Sequence, residues 1–570
     1  MVMVLINWLY IAVTTFLCGF GILQLFSKWF SYKIRHTISY FLAGLTFATV
    51  YAQIYSLFAG VSAMANLLLL FMCMAIVFVC RQSLRNFTKH TLESFKAEKW
   101  KPLAYLVLIL LFSYATSRGF MHFDTGLYHA QSIRWIEEYG VVPGLGNVQA
   151  RFGYNSAAFP LTALYSMKGI FNQSLHTTAG FFALLASFMA LDLYKVFAKK
   201  RIHLSDFIRT GLVFYLSVIF PEIVSPASDY YAQLLLFMIL ILWLDEDEYQ
   251  KKKVNKQVAP YALLCILIVY AVTIKFSVAV LLLFVLKPAI MLIRGKKIKQ
   301  IFISICSGLI TCLPFFIRNI IITGWLVYPF AGIDLFSFDW KIPKGQVQYD
   351  ANEIGIYGKG ITDVSKFEAS FSEWVPIWFN GLKALEKLFV LMTVLAVVCG
   401  MIYFLIRLMK QKKNTDNGQL WSFGLTFAVF VISTLFWFVS APLIRYGYAY
   451  ITVVPLLVFG EIFLSVKEAL PSRDKVLHSL FCMVFLLFII SRIPGIITNI
   501  KNVLPEPYYF AQKDYPDGDA EIREVDGVIF YVPTDNGQIG YNKFPSSMFP
   551  QPIELRGDSI EDGFRQIPTE

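Results

Sequence analysis

Apolar runs of roughly 17 to 25 residues, each long enough to cross ~30 Å of hydrocarbon as a helix, recur from the start of this sequence to about Arg492. A segment in lipid must satisfy its own backbone, so each run reads as a helix. About fourteen can be placed, near 4–26, 37–57, 62–80, 102–117, 175–197, 206–223, 230–244, 258–274, 276–293, 298–317, 384–408, 419–438, 449–466 and 475–491. The fold class is therefore an all-α polytopic membrane protein. Only 15% of the residues are charged, against about 25% in soluble domains, and the mean hydropathy is +0.59.

The net charge of +12 does not mark a nucleic-acid binder, because the basic residues are not gathered on one face or tail. They fall in alternate loops, at Lys28 to Arg35, Arg81 to Lys101, Lys195 to Arg201, Lys251 to Lys256, Arg294 to Lys299, Lys410 to Lys413 and Lys467 to Lys475. Positive-inside bias puts these in the cytoplasm, with the intervening loops and both chain ends outside. All eight cysteines (Cys18, Cys73, Cys80, Cys265, Cys306, Cys312, Cys399 and Cys482) lie in expected spans, which leaves no disulfide framework and no thiolate metal site. Residues 4–26 lack the basic start and cleavage site of a signal peptide and read as a retained span.

The chain divides into a three-span module (1–101), a core (102–317), a second outer loop (318–383), further spans (384–491) and an acidic, polar outer domain (492–570). In the last of these, GVIFYVPTDNG reads as a strand leading into a hairpin. The densest cluster of ionisable and aromatic residues is the outer loop from about 118 to 173. Its DTGLYHAQSIRWIEEYG stretch reads as an interfacial amphipathic helix, with Leu127, Ile133 and Ile136 on its apolar face and Gln131, Glu137 and Glu138 toward water. Gly140, Pro143, Gly144 and Gly146 end it, and residues 156–171 read as a juxtamembrane or re-entrant helix.

This topology brings Asp124, Tyr128, His129, Arg134, Arg151, Asp229, Lys275, Arg318 and Arg445 to the outer boundary. Cations there suit a phosphate, and a carboxylate suits the proton of an attacking hydroxyl. Each also has a plainer role. Asp124 and Asp229 stand at helix starts, where Asp is a common cap. His129 and Arg134 suit interfacial anchors, and Arg318 and Arg445 can snorkel, although outer arginines run against positive-inside bias. Lys275, between two long apolar runs, must occupy a turn, snorkel or be paired. Trp325, Tyr328, Trp374 and Trp378 read as an aromatic belt.

On these residues the chain resembles the GT-C superfamily of membrane glycosyltransferases. FDTGLYH supplies an acid, Asp124, just after a span in the first long outer loop, and SPASDYY supplies a second, Asp229, in an outer turn two spans later. The runs GLGN, RFGYNS, RNIIITGWLVYP, SAPLIRYG and IELRGDSIEDGFR also look like a bacterial multi-pass branch of that fold. The resemblance covers about residues 100–570. It implies a GT-C-like core and inverting sugar transfer from a polyprenyl-phosphate or polyprenyl-diphosphate donor to a glycan, lipid or protein acceptor, at the outer face of a bacterial inner membrane. It implies Asp124 as base, Asp229 as helper or ligand of a divalent cation such as Mg or Mn, and Lys275, Arg318 and Arg445 at the donor phosphate. The first loop lacks the adjacent acid pair that many members carry. A polymerase or ligase of lipid-linked oligosaccharides would use the same donor. A flippase for lipid-linked sugars is the alternative of another class, and it calls for half-repeats and polar breaks at mid-membrane.

Overall fold

The computed structural model describes residues 1–199, 201–251, 253, 256–410, 418–502, 508–516, 518–534, 537–549 and 552–567. Among them, thirteen helices are long and apolar enough to cross a membrane. The expected span near 258–274 forms an apolar helix of 16 residues, Ala259–Ile274, about 24 Å long at 1.5 Å per residue. The chain is a multi-pass membrane protein. The basic stretch after Arg81, expected as a loop, continues the helix Ala63–Ala97, and the expected span 298–317 runs on to Thr323, which takes Arg318 into its last turns. Parts of the basic clusters at 195–201, 251–256 and 410–413 lie outside the described residues.

Helix order alternates between two ends of the bundle. One end carries the loop after Ser117, the turn before Asp229, Lys275, and the turn Ser440 to Ile444. The basic segments near Lys28, Lys195, Arg294 and Lys467 fall at the other. Helix Ser228–Lys251 lies at the centre, with nearly all of its apolar residues buried. The first helices are part of this core: Asn7 donates to the Tyr165 carbonyl (2.6 Å) and Trp8 to that of Thr177 (3.0 Å).

The C-terminal domain is small and partly β. Strand β1 (Ala520–Val525) pairs antiparallel with β2 (Val528–Pro533), and β3 (Ile553–Leu555) with β4 (Phe564–Gln566). The expected strand is β2, but its hairpin turn precedes it. Asp526 and Gly527 both have positive φ (48° and 82°), as a tight Asp-Gly hairpin turn requires. The TDNG turn expected after β2 includes Asp535 and Asn536, which lie outside the described residues.

This domain sits on the first loop, which corrects the expected amphipathic helix. Residues Thr125–His129 form a π-turn and Ala130–Glu138 an α-helix. Of the polar face expected in water, only Glu138 is exposed. Gln131 is covered, donating to the Gly540 (3.2 Å) and Lys543 (2.9 Å) carbonyls, and Glu137 accepts from Tyr541 and from Ser174 (2.6 Å). Gln131 and Glu137 are thus held by protein groups, most of them some 400 residues downstream, instead of by solvent. Residues 158–164 form a short helix buried against protein, with Ala157 N–H bonded to the Thr273 carbonyl (3.1 Å). The expected aromatic belt is also internal. Trp325, Tyr328, Trp374 and Trp378 are buried, and the Trp325 and Trp378 indoles donate to the Ile342 (2.9 Å) and Pro442 (2.6 Å) carbonyls.

Candidate active site

Arg445 is the hub of the polar cluster at the loop end. It opens helix Ile444–Ala469, after the Ala-Pro-Leu turn. Gln233, one turn into the central helix, donates to the Arg445 carbonyl and accepts from the Ala449 N–H (2.9 Å), so two buried helices fix its backbone. Its guanidinium donates to Asp124 Oδ2 (2.6 Å), meets the His122 ring, donates to the Tyr446 hydroxyl (3.1 Å) and stands 3.8 Å from Asp229 Oδ2. Asp229 pairs on its other oxygen with Lys275, whose ammonium lies 3.8 Å from the Tyr446 ring centroid. Both acids therefore face one guanidinium, although they come from separate segments.

Local structure explains the acids. Asp124 stands immediately before the π-turn, an irregularity that is frequent at functional sites. Its side chain makes no capping bond; its own N–H is held by His122 Nδ1 (3.1 Å). Its carboxylate is thus free to face Arg445. The loop is tied down by Phe120 N–H to the Pro221 carbonyl (2.9 Å) and His122 N–H to Ser225 (2.7 Å). From the other side, the Ile539 and Gly540 N–H groups both donate to the Gly126 carbonyl (3.1 Å each).

Burial alone would raise the Asp124 carboxyl, but its neighbours together, Arg445 first among them, outweigh burial and hold the group below the usual carboxylate range. Burial, and then Arg445, push the His122 imidazole below its ordinary value, so it is neutral at pH 7. The cluster therefore pairs two carboxylates with two cations around a neutral imidazole.

The expected site residues separate into two groups. Asp124, Asp229, Lys275 and Arg445 come together. Tyr128 and His129 lie behind them in the π-turn. The His129 ring is buried against Phe159 and bonded to Thr125 (3.1 Å), and burial takes its pKa to about 3, so it carries no charge for a substrate. Arg134 instead donates to the Tyr541 (2.8 Å) and Asn542 (2.7 Å) carbonyls and docks the C-terminal domain. Arg151 faces Glu353 at 3.6 Å. Arg318 is buried, bonded to Asn155 (3.0 Å) and to Ser56 at the end of helix Ile38–Ser56. His122 and Tyr446 were not anticipated, although a histidine two residues before Asp124 and a tyrosine beside Arg445 were visible as neighbours of singled-out residues.

Among the described residues, no group of three His, Cys, Asp or Glu is placed to hold a metal ion. Arg445 stands where a divalent ion bridging Asp124 and Asp229 would sit, so the residues as arranged do not fit such an ion.

A family model described as a domain of unknown function (DUF8201) matches residues 1–452. That range includes Asp124, Asp229, Lys275 and Arg445 and stops before the docked C-terminal domain. No curated protein and no solved structure matches the chain.

Proposed function

We propose that this chain, which belongs to the DUF8201 family, is an integral membrane glycosyltransferase. It moves a sugar from a polyprenyl-phosphate or polyprenyl-diphosphate donor to an acceptor hydroxyl at the outer face of a bacterial inner membrane. The observation that carries the reading is Arg445 shared between Asp124 and Asp229, with Lys275 beside them, in a cluster left about a quarter open: side-chain exposure is 26% for Arg445 and 23% for Asp124.

In this reading the donor phosphate takes Arg445 and Lys275, which exchange part of their carboxylate pairing for the ligand's oxygens. Freed from Arg445, Asp124 recovers basicity and accepts the proton of the acceptor hydroxyl. The acceptor oxygen bonds to the anomeric carbon, the bond from that carbon to the phosphate oxygen breaks, and the phosphate leaves with the electron pair. The two cations stabilise the charge developing there. Asp229 holds Lys275, and neutral His122 orients Arg445. The basic segments at the far end of the bundle support placing that end in the cytoplasm.

The test is the profile of lipid-linked sugars and surface polysaccharide in cells carrying Asp124→Asn, beside wild type and a deletion strain at matched membrane levels. Asp124→Asn is expected to match the deletion, with unextended acceptor accumulating. A wild-type profile would sink the base assignment and favour a transporter.

A further inference from the structure

We propose that Lys287 and Asp247, at the end of the bundle away from the candidate active site, are positioning residues for Lys275. They act through a stretched helix that works only while it is clipped at both ends. This holds whatever reaction the loop-end cluster performs.

The clips join the same two elements. Asp229 and Asp247 lie near opposite ends of helix Ser228–Lys251, about 27 Å apart at 1.5 Å per residue. Lys275 and Lys287 bracket the start of the span Phe276–Arg294 and pair with Asp229 and Asp247 respectively. A continuous α-helix would separate those lysines by only about 18 Å, which leaves about 9 Å for the side chains of the two pairs to make up.

The span makes up the difference by changing its winding. Phe276–Val285 is a 3₁₀-helix of 10 residues, followed by α-helix from Leu286. Such helices seldom exceed 3–4 residues, but they rise about 2.0 Å per residue, which lengthens the Lys275 to Lys287 separation to about 23 Å. The long lysine side chains cover the remainder.

Two features of the sequence fit this winding. Val278, Leu281 and Phe284, its buried residues, recur every third position, so on a 3₁₀-helix they form one straight stripe. On an α-helix they would fan around the axis. Phe284 anchors the stripe against Trp243, with ring centroids 4.5 Å apart. Pro288 falls in the first turn of the α-helix that follows, a position that tolerates its missing N–H. Lys287 is further held by Ser422 Oγ (2.8 Å) and lies 4.0 Å from the Tyr261 ring centroid.

Rewinding residues 276–285 to α would shorten the rod by about 5 Å, which widens the gap that the two lysine side chains must cover from about 4 Å to about 9 Å and sets the clips against each other. Release of Lys287 therefore withdraws Lys275 from Asp229. The test is the thermal stability of the purified full chain carrying Lys287→Met, Lys275→Met or both. Groups more than about 20 Å apart with no shared partner lower Tm additively. The double variant is expected to lose clearly less than the two single shifts combined, because cutting either clip relaxes the other. A cryo-electron-microscopy structure of Lys287→Met in lipid nanodiscs is expected to show residues 276–285 as α-helix with the Lys275 ammonium off Asp229. Additive Tm shifts, or an unchanged 3₁₀ segment with Lys275 still on Asp229, overturn the proposal. If Lys287→Met does not fold, Asp247→Asn, which keeps a polar partner for Tyr261 and Ser422, is read by the same outcomes.

Discussion

Both ends of the bundle carry acid–base clusters on the central helix, but they are built differently. At the end away from the loops, Arg209 bonds Asp206 one turn earlier (2.9 Å) and Asp245 (2.5 Å), and Ser205 also bonds Asp245 (2.5 Å). Arg209 and Asp206 are 7% and 6% exposed. At the loop end, Arg445 and Asp124 are 26% and 23% exposed and come from segments over 300 residues apart. A sealed cluster pairs charges to hold helices together, whereas an open one keeps paired charges within a ligand's reach. The acids overlap in exposure, Asp245 at 18% and Asp229 at 10%, so what differs between the ends is the arginine, sealed at one and reachable at the other.

Exchanging the two arginines' roles would break that comparison, and it should have the largest effect of any change at either end. Arg209→Ala leaves Asp206 and Asp245 buried without their cation and is expected to cost about 3–5 kcal/mol, read as a large Tm loss in detergent. Arg445→Ala leaves Asp124 where water can reach it and Asp229 still paired with Lys275, so Tm should move little. Activity should fall roughly 10²- to 10³-fold, the scale for losing one preorganised charge at a reacting centre. If Arg445→Ala unfolds the protein, the loop-end cluster is scaffold after all.

The sequence made the open cluster partly legible for a physical reason. Asp229, Lys275 and Arg445 each stand in a short turn between long apolar runs, where an ionisable group needs a partner or a function, and Asp124 stands in the loop densest in ionisable residues. The covering of Gln131 and Glu137 was not legible, because the turn residues Gly540, Tyr541 and Lys543 that cover them lie some 400 residues later. The tryptophans misled because composition does not tell a ring facing lipid from one facing a neighbouring helix. FSVAVLLLFV reads as a span under any winding, and its spacing of three is clear only once Val278, Leu281 and Phe284 are known to be the buried ones.

A pH measurement sharpens the same contrast with a smaller effect. Asp350 is buried on the loop side and accepts from the Tyr154 hydroxyl (2.7 Å), and burial raises its pKa to about 6. The unfolded value is about 3.9, so only the folded state keeps this proton between the two. The contribution is full below pH ~4 and is lost as pH rises through about 6, worth about 2–3 kcal/mol. Asp350→Asn keeps an acceptor for Tyr154 and removes the titration. It is expected to flatten the fall in Tm between pH 4.5 and 7.5 and to stabilise the protein at the upper end. An unchanged slope would move the titrating group elsewhere, with the sealed end as the next place to look.

The smallest expected effect concerns how firmly the open cluster is held. Gln538 donates to the Phe123 carbonyl (3.0 Å), next to Asp124. A Cβ at Gly126 would fall 2.2 Å from Gln538 Oε1. That atom ends a flexible side chain, so Gly126→Ala should push it aside and leave the backbone in place. The loss is then the single hydrogen bond to Phe123, about 0.5–1.5 kcal/mol. Gln538→Ala removes the same bond directly. Each variant should lower Tm slightly and activity a few-fold, and the double variant should be no worse than either alone. Additive losses would mean that Gly126 is required by the π-turn itself and not only by its contact with the docked domain.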